Sequence, residues 1–358
     1  MERCRFRFNN SMKKVNVVLV GLGHVGRAFL RLIQEKEWYN KHSYGVEFFI
    51  KAVFNSKGAF VFPDSHEGQD VQEILNQELS NSDAFSWKPN IDLNIALHSC
   101  NPGALIECTP SDGKTGEPGF THIRKAFDAG WHVFTANKGP LVKDYRGLMD
   151  MARQRNLELK ISGATAAALP TLDVALYSLA GTDIQAIEAI LNGTTNYILT
   201  RMMEGIEYET ALREAQAKGI AETDPSNDVE GWDTAYKLIL ITNAIFDTNI
   251  KITDVRVEGI NTVSSSVIEA AKKEGKALKL LGRMKKHGAD VSLDVGLHAI
   301  EKSHPFFNVD GTNKGIIYFT DSMGTITVHG GQSDPRGAAA ALLKDIINIY
   351  RFNRIPQI

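Results

Sequence analysis

The sequence predicts an α/β protein: a Rossmann-type doubly wound parallel sheet followed by a second, α+β domain. Three observations carry this. A short β-rich run, Lys14–Val20, leads directly into Gly21-Leu-Gly-His-Val-Gly26 and then a helical segment, Arg27–Glu35. Strand and helix patterns then alternate to about residue 160, the rhythm of a doubly wound sheet. After Gly181 that rhythm gives way to strands with period-two alternation, beginning with Ile184–Ile190.

Each element has its own reason. Lys14–Val20 is apolar on both faces, as a buried parallel strand requires. The GxGxxG that follows sits in strand–turn–helix context. There its glycines permit a tight turn, close backbone approach to a pyrophosphate, and helix–strand contact. Gly21, Gly23 and Gly26 are therefore candidate cofactor-binding residues, with His24 and Val25 in the variable slots. A solvated loop histidine is the plainer reading of His24. The second strand, Val46–Phe54, runs into Asn55-Ser-Lys-Gly58. A carboxylate at this strand end would bind the ribose diol of NAD. None is present, so Ser56 and Lys57 point to the 2′-phosphate of NADP, against the bland alternative of a polar turn.

Residues 61–95 are polar, with Val71–Leu79 the clearest helical segment. Ala104–Thr109 is a strand, Thr121–Gly130 a helix ended by glycine, and Trp131–Thr135 a further strand followed by Ala136–Leu141. In such sheets ligands lie beyond the carboxyl ends of the strands, which places Thr109 and Lys138 at the ligand edge. Leu157–Ile161 closes this series, and Ser162–Pro170 precedes a helix over Thr171–Leu179. Asn192-Gly-Thr-Thr-Asn-Tyr197 opens a helix. Thr194 near its first turn is either a plain N-cap or part of a carboxylate cradle made with free backbone amides. A helix over Tyr208–Lys218 stops at Gly219. Helix and strand follow at Ser264–Glu274 and Lys276–Arg283, then strands at Val291–Leu297, Gly315–Phe319 and Thr325–His329. Arg336–Tyr350 is a final amphipathic helix, expected to pack back onto the first domain.

The stretch Ala221–Lys237 carries the densest chemistry. Glu222, Asp224, Asp228, Glu230, Asp233 and Lys237 surround one Pro-Ser-Asn turn that leads into a helix from Trp232. Asp233 and Lys237 stand four residues apart, so carboxylate and ammonium share a helix face. A solvated ion pair is the plain alternative. The acids crowded at the helix entrance, and the apolar run Leu238–Phe246 behind them, make Lys237 a candidate proton donor instead.

Composition narrows the classes. The net charge of −2 provides no field for nucleic acid or an acidic membrane, and 43% hydrophobic content is that of an ordinary globule. No apolar run reaches the length of a membrane span. Cys4, Cys100 and Cys108 form no CxxC pair, so a reducing compartment and no metal site are expected. Residues 1–12 are basic without an apolar core and are expected to be a disordered leader or an upstream start ahead of Met12, with a transit peptide as the weaker alternative. Residues 13–160 are expected to form a dinucleotide-binding domain, joined by helix 336–350, with 161–335 as the second domain.

Four motifs together give the chain a family likeness: Gly21–Gly26, Thr135–Leu141, Leu191–Leu199 and Ala221–Lys237. From about Lys13 to the last helix it resembles homoserine dehydrogenase. The resemblance implies NADPH- or NADH-dependent reduction of aspartate 4-semialdehyde to homoserine, on the route to threonine and methionine. It also implies a cytoplasmic homodimer whose second domain binds substrate and partner. By the same resemblance Lys237 donates the proton and Asp233 is its partner acid. Glu222 and Asp228 hold the substrate amino group, Lys138 is a catalytic residue of the Asn-Lys motif between nicotinamide and substrate, and Gly193 and Thr194 line the substrate side. Gly331 retains a cofactor contact, although Gln332-Ser-Asp334 replaces the family's Gly-Ala-Gly. Some relatives bind a monovalent cation on the loop that here reads Ser162–Leu169. Ser162 replaces an acid, and Ala166, Ala167 and Ala168 replace glycines, so that site is doubtful in this chain. Two rival readings are another amino-acid dehydrogenase and a non-catalytic NAD(P)-binding sensor. A sensor has no need of the Lys138, Asp233 and Lys237 constellation.

Overall fold

A computed structural model describes residues 12–62, 75, 87–331 and 334–352. Nearly all of the expected helix at Val71–Leu79, most of the leader, and Gln332 and Ser333 lie outside those residues. The chain divides into two units. The first comprises 1–140, 147–161 and 339–358; the second comprises 141–146 and 162–338.

The first unit is built on a seven-stranded sheet. β1 (Lys13–Val20) is followed by α1 (His24–Glu35), β2 (Val46–Asn55), β3 (Gly58–Val61), β4 (Trp87–Pro89), α2 (Leu93–His98), β5 (Ala104–Glu107), α3 (Gly119–Asp128), β6 (His132–Thr135), α4 (Lys138–Gln154) and β7 (Leu159–Lys160). The strand order is β4-β3-β2-β1-β5-β6-β7. The five strands from β2 to β7 pair in parallel, while β3 and β4 add an antiparallel edge. Val15, Val17 and Leu19 of β1 are buried on one face against Phe29, Leu30 and Ile33 of α1. The same core takes in Ala339, Leu342, Leu343 and Ile346 of the last helix.

One element departs from expectation. The sequence reading names Ala136–Leu141 only as the stretch after a strand and assigns no helix to 138–154. Pro140 lies in the first turn, where the helix has no acceptor waiting for its missing N–H, so it does not interrupt the element. Asp144 is non-helical inside this helix, and Leu141–Arg146 group with the second unit.

The second unit carries a six-stranded sheet. Its elements are β8 (Ile184–Ile190), α5 (Gly193–Met203), α6 (Tyr208–Ala217), α7 (Trp232–Phe246), β9 (Val255–Val257), α8 (Ser265–Lys273), β10 (Ala277–His287), β11 (Asp290–Ile300), β12 (Lys314–Thr320) and β13 (Thr325–Gly330). The order is β13-β12-β8-β10-β11-β9, antiparallel except for β9 beside β11. α7 is apolar around most of its girth, and Ala235, Leu238, Ile239, Leu240 and Ile241 are all buried. Where one continuous helix is expected over Thr171–Leu179, a short α-turn at Thr171–Asp173 passes into a π-turn at Val174–Ser178. The last helix, α9 (Pro335–Phe352), begins in this unit and runs into the first. No helix among the described residues is long and apolar enough to cross a membrane.

Candidate active site

In the first unit the glycine-rich turn is shaped by its own backbone. Gly21 sits at φ +101°, and a Cβ there would lie 2.5 Å from the carbonyl of Cys108; one on Gly26 would lie 2.1 Å from the oxygen of Gly21. These two glycines serve the fold. Gly23 differs: a Cβ there would meet no atom within 4 Å, so nothing inside the protein requires it to be glycine. It is the N-cap of α1, with no side-chain cap and no acid in the first turn. Among the described residues the first backbone amides of α1 therefore have no side-chain cap, and the helix dipole favours an anion there. His24 is exposed and Val25 half-buried. The residues present fit a dinucleotide phosphate.

Asn55 and Gly58 pair across the β2–β3 hairpin, so Ser56 and Lys57 form its two-residue tip and are exposed. Asn55 Oδ1 accepts from the backbone amides of Lys57 (2.7 Å) and Gly58 (3.1 Å), which fixes the turn. Neither tip residue is a carboxylate.

At the carboxyl ends of β5 and β6 the loops are tied together. Thr109 donates its backbone amide (2.8 Å) and its hydroxyl to Glu107 Oε1. Asn137 caps α4 by accepting from Gly139 (2.9 Å), and its amide group donates to Thr109 Oγ1 (3.1 Å). Lys138, the first residue of α4, is half-buried, and its backbone amide donates to Ser111 Oγ (3.0 Å). Thr109 and Lys138 thus belong to one corner, as sequence reasoning expects. Glu107, which it does not single out, is the buried acid beneath them.

In the second unit the acidic stretch forms in steps. Asp224 Oδ1 accepts from the Ser226 amide (3.1 Å), one helical turn spans Ser226–Val229, and Gly231 at φ +87° redirects the chain into α7. A left-handed residue is needed at that corner, and glycine adopts it without strain. The corner sets Asp228 before α7 and Asp233 in its first turn.

Asn192 joins the two acids. Its amide nitrogen donates to Asp228 Oδ1 (2.7 Å) and Asp233 Oδ2 (2.8 Å), while its Oδ1 caps α5 by accepting from the Thr195 amide (2.8 Å). Lys237 Nζ donates to Asp233 Oδ2 (2.5 Å) and to the Leu191 carbonyl (3.0 Å). An ammonium has three donors. Among the described residues, two of those on Lys237 are engaged and the third is left for a ligand. Burial pushes the Asp228 carboxyl above its ordinary range, and the neighbouring Asp233 charge adds to this; the Asn192 amide and Lys237 act against it. With both acids ionised the trio carries a net charge of −1, a setting that attracts an ammonium.

Asn192 is the residue sequence reasoning missed. Its signal was present, since an Asn at the start of a helix is a standard cap, but nothing in the chain shows that its other end meets two acids. It also settles Thr194, which is not the cap: its hydroxyl donates to the Ile220 carbonyl (3.0 Å). Gly193 and Thr194 are buried in the first turn of α5, beside this cluster in the chain. Glu222 is not brought into the cluster. It is exposed, and its backbone carbonyl accepts from Gln216 (3.1 Å).

Gly331, at φ +68°, packs against the Ala168–Leu169 backbone, where a Cβ would lie 3.0 Å from the Leu169 nitrogen. The loop it touches does not suit a metal cation. Buried Lys314 places its own ammonium 3.1 Å from the Ala166 carbonyl, and Ser162 supplies no charge. Among the described residues no group of three His, Cys, Asp or Glu side chains is arranged to hold a metal ion.

Comparison with known proteins gives this geometry its context. The family model for homoserine dehydrogenase matches residues 170–347. A homoserine dehydrogenase from Methanocaldococcus jannaschii is 35% identical over 340 residues, covering 94% of this chain and 98% of that protein. An NAD(+)-dependent homoserine dehydrogenase from Pseudomonas canavaninivorans is 31% identical, covering 95% and 97%. A crystal structure from Archaeoglobus fulgidus, described provisionally as a homoserine dehydrogenase, superposes with a TM-score of 0.83 at 31% identity, covering 94% and 99%. The matched length thus runs through both units, and the chain belongs to the homoserine dehydrogenase family of oxidoreductases.

Proposed function

We propose that this protein is a homoserine dehydrogenase that interconverts aspartate 4-semialdehyde and L-homoserine with NADP, in the pathway to threonine and methionine. The observation that carries the reading is the chain of contacts from Asp228 through Asn192 and Asp233 to Lys237. It offers two anionic groups for an amino acid's ammonium and one unengaged N–H for its reacting oxygen. When bound, the nicotinamide supplies the hydride. The protein's own part is binding and proton transfer. Asp228 holds the substrate ammonium, with Glu222 assisting at the exposed rim. Gly193 and Thr194 line the carboxylate side. Lys237 gives its third proton to the developing alkoxide, and Asp233 with the Leu191 carbonyl keeps Nζ aimed. Lys138 stands with Thr109 at the cofactor edge. In the oxidative direction the same groups act in reverse.

The first unit is assigned to the dinucleotide, contacted by Gly21–Gly26, Ser56, Lys57, Thr109 and Lys138. The second unit is assigned to substrate binding and dimerisation. NADP is favoured by the tip of the β2–β3 hairpin, which bears Lys57 and no acid. NAD is the second reading, since one relative of 31% identity is named NAD(+)-dependent. We further assign a cytoplasmic setting, a small-molecule substrate without nucleic-acid or membrane partners, a homodimer, and no monovalent-cation requirement. The test is spectrophotometric: NADPH should be oxidised on addition of aspartate 4-semialdehyde, and NADP reduced on addition of homoserine at alkaline pH. Tight NADP binding with turnover of neither substrate would favour the sensor.

A further inference from the structure

Glu107 ends the central strand β5 and its side chain is fully buried, yet it is an ionisable group that the mechanism does not use. Burying a carboxylate is costly unless donors surround it. Here they do, and they come from three segments. Oε1 accepts from the Thr109 amide (2.8 Å), the Thr109 hydroxyl and the Asn137 side-chain amide (3.3 Å). Oε2 accepts from His122 Nδ1 of α3 (2.8 Å). The Glu107 backbone carbonyl takes the Ala136 amide (3.0 Å) and the Thr135 hydroxyl (3.3 Å). Asn137 in turn caps the helix that starts at Lys138. One carboxylate oxygen therefore fastens the loop after β5 to the loop after β6, and α3 holds the carboxylate from behind.

We propose that Glu107 is a positioning residue of the dinucleotide site. Its buried carboxylate, braced by His122, sets Thr109 and the Asn137–Lys138 corner in the register that the cofactor requires. This rests on the reading of the first unit as dinucleotide-binding. It adds that the binding edge is organised by an acid beneath it as well as by the glycine-rich turn.

The test compares Glu107→Gln, Glu107→Leu and Glu107→Asp in the full-length protein, using direct fluorescence titration of NADPH, steady-state kinetics and thermal unfolding. Gln keeps an acceptor for Thr109 and Asn137. It turns its NH₂ towards His122 Nδ1, which becomes an acceptor once the ring proton moves to Nε2. Leu removes every acceptor. We expect Glu107→Leu to weaken NADPH binding and to lower kcat by about 10- to 100-fold, the loss typical of a displaced site, with KM for the semialdehyde within about twofold because the substrate-binding acids are untouched. Glu107→Gln should restore most of the loss. If Glu107→Leu does not fold, Glu107→Asp decides: it keeps the charge but withdraws the carboxylate by one methylene, and should shift NADPH affinity in the same direction. Unchanged NADPH affinity and kcat in folded Glu107→Leu or Glu107→Asp would overturn the proposal. So would a Gln variant as impaired as Leu. The NADPH titration needs no turnover, so a wild-type protein inactive on homoserine would refute the proposed function while leaving this test intact.

Discussion

Replacing Lys237 with Met separates the proton donor from the rest of the site. The methionine preserves most of the side chain's length and packing but removes the ammonium. In the wild type that ammonium and Asp233 are only 16% and 11% exposed and stand 2.5 Å apart, so the pair is poorly screened. Breaking a buried pair costs about 3–5 kcal/mol when the remaining charge is abandoned. Asp233 is not abandoned, because Asn192 still donates to it at 2.8 Å. A net loss of about 2–3 kcal/mol follows, which lowers Tm by roughly 5–10 °C for a unit of this size. Catalysis should fall much further: a positioned general acid is worth about 10²–10⁴-fold. The assay is NADPH oxidation with saturating semialdehyde, well below the variant's Tm, alongside NADPH titration. The expected result is a kcat lower by two to four orders of magnitude with nearly unchanged NADPH affinity. A near-normal kcat would refute the assignment and make Lys138 the leading donor.

Other perturbations follow from the same geometry. Asp228 has a raised folded-state pKa, so its ionisation costs stability as pH rises from the unfolded value through the folded one; below that window the protonated acid costs nothing. Asp228→Asn should therefore raise Tm at neutral pH while increasing the homoserine KM, and in the wild type that KM should climb on acidification before ordinary carboxylates titrate. An unchanged Tm and a flat wild-type KM profile would count against the buried anion. Lys57→Ala should raise the NADP KM about tenfold, less at high salt, and leave NAD unaffected; equal losses for both cofactors would leave Lys57 only a turn-shaping role. Exchanging Na⁺, K⁺ and a bulky organic cation at constant ionic strength should leave the rate unchanged, because the Lys314 ammonium already meets the Ala166 carbonyl; strong activation by one ion would contradict this.

What the sequence reveals depends on how local the cause is. The Gly21–Gly26 turn and the alternation of Ile184–Ile190 are written in consecutive residues, and both elements form where expected. The Asp233–Lys237 pair is legible because helical geometry alone brings the two together. Asn192 and Glu107 are different. Each gains its role from partners far along the chain: Asp228 and Asp233 for the one, His122 and Asn137 for the other. A single polar residue at the end of an apolar strand looks the same whether it meets water or a buried cluster. Glu222 shows the converse, since closeness in sequence to Asp228 leaves it exposed at the rim and outside the buried group.

The last helix has a consequence for how the molecule comes into being. Ala339, Leu342, Leu343 and Ile346 complete a core whose earliest walls, β1 and α1, are made from the first 35 residues. During synthesis those walls leave the ribosome long before the helix that covers them. The second unit, almost wholly contained between 162 and 338, can close while the first still waits. In that interval Val17, Leu19 and their neighbours lack part of their cover, and the nascent chain offers chaperones an apolar surface that the finished protein does not.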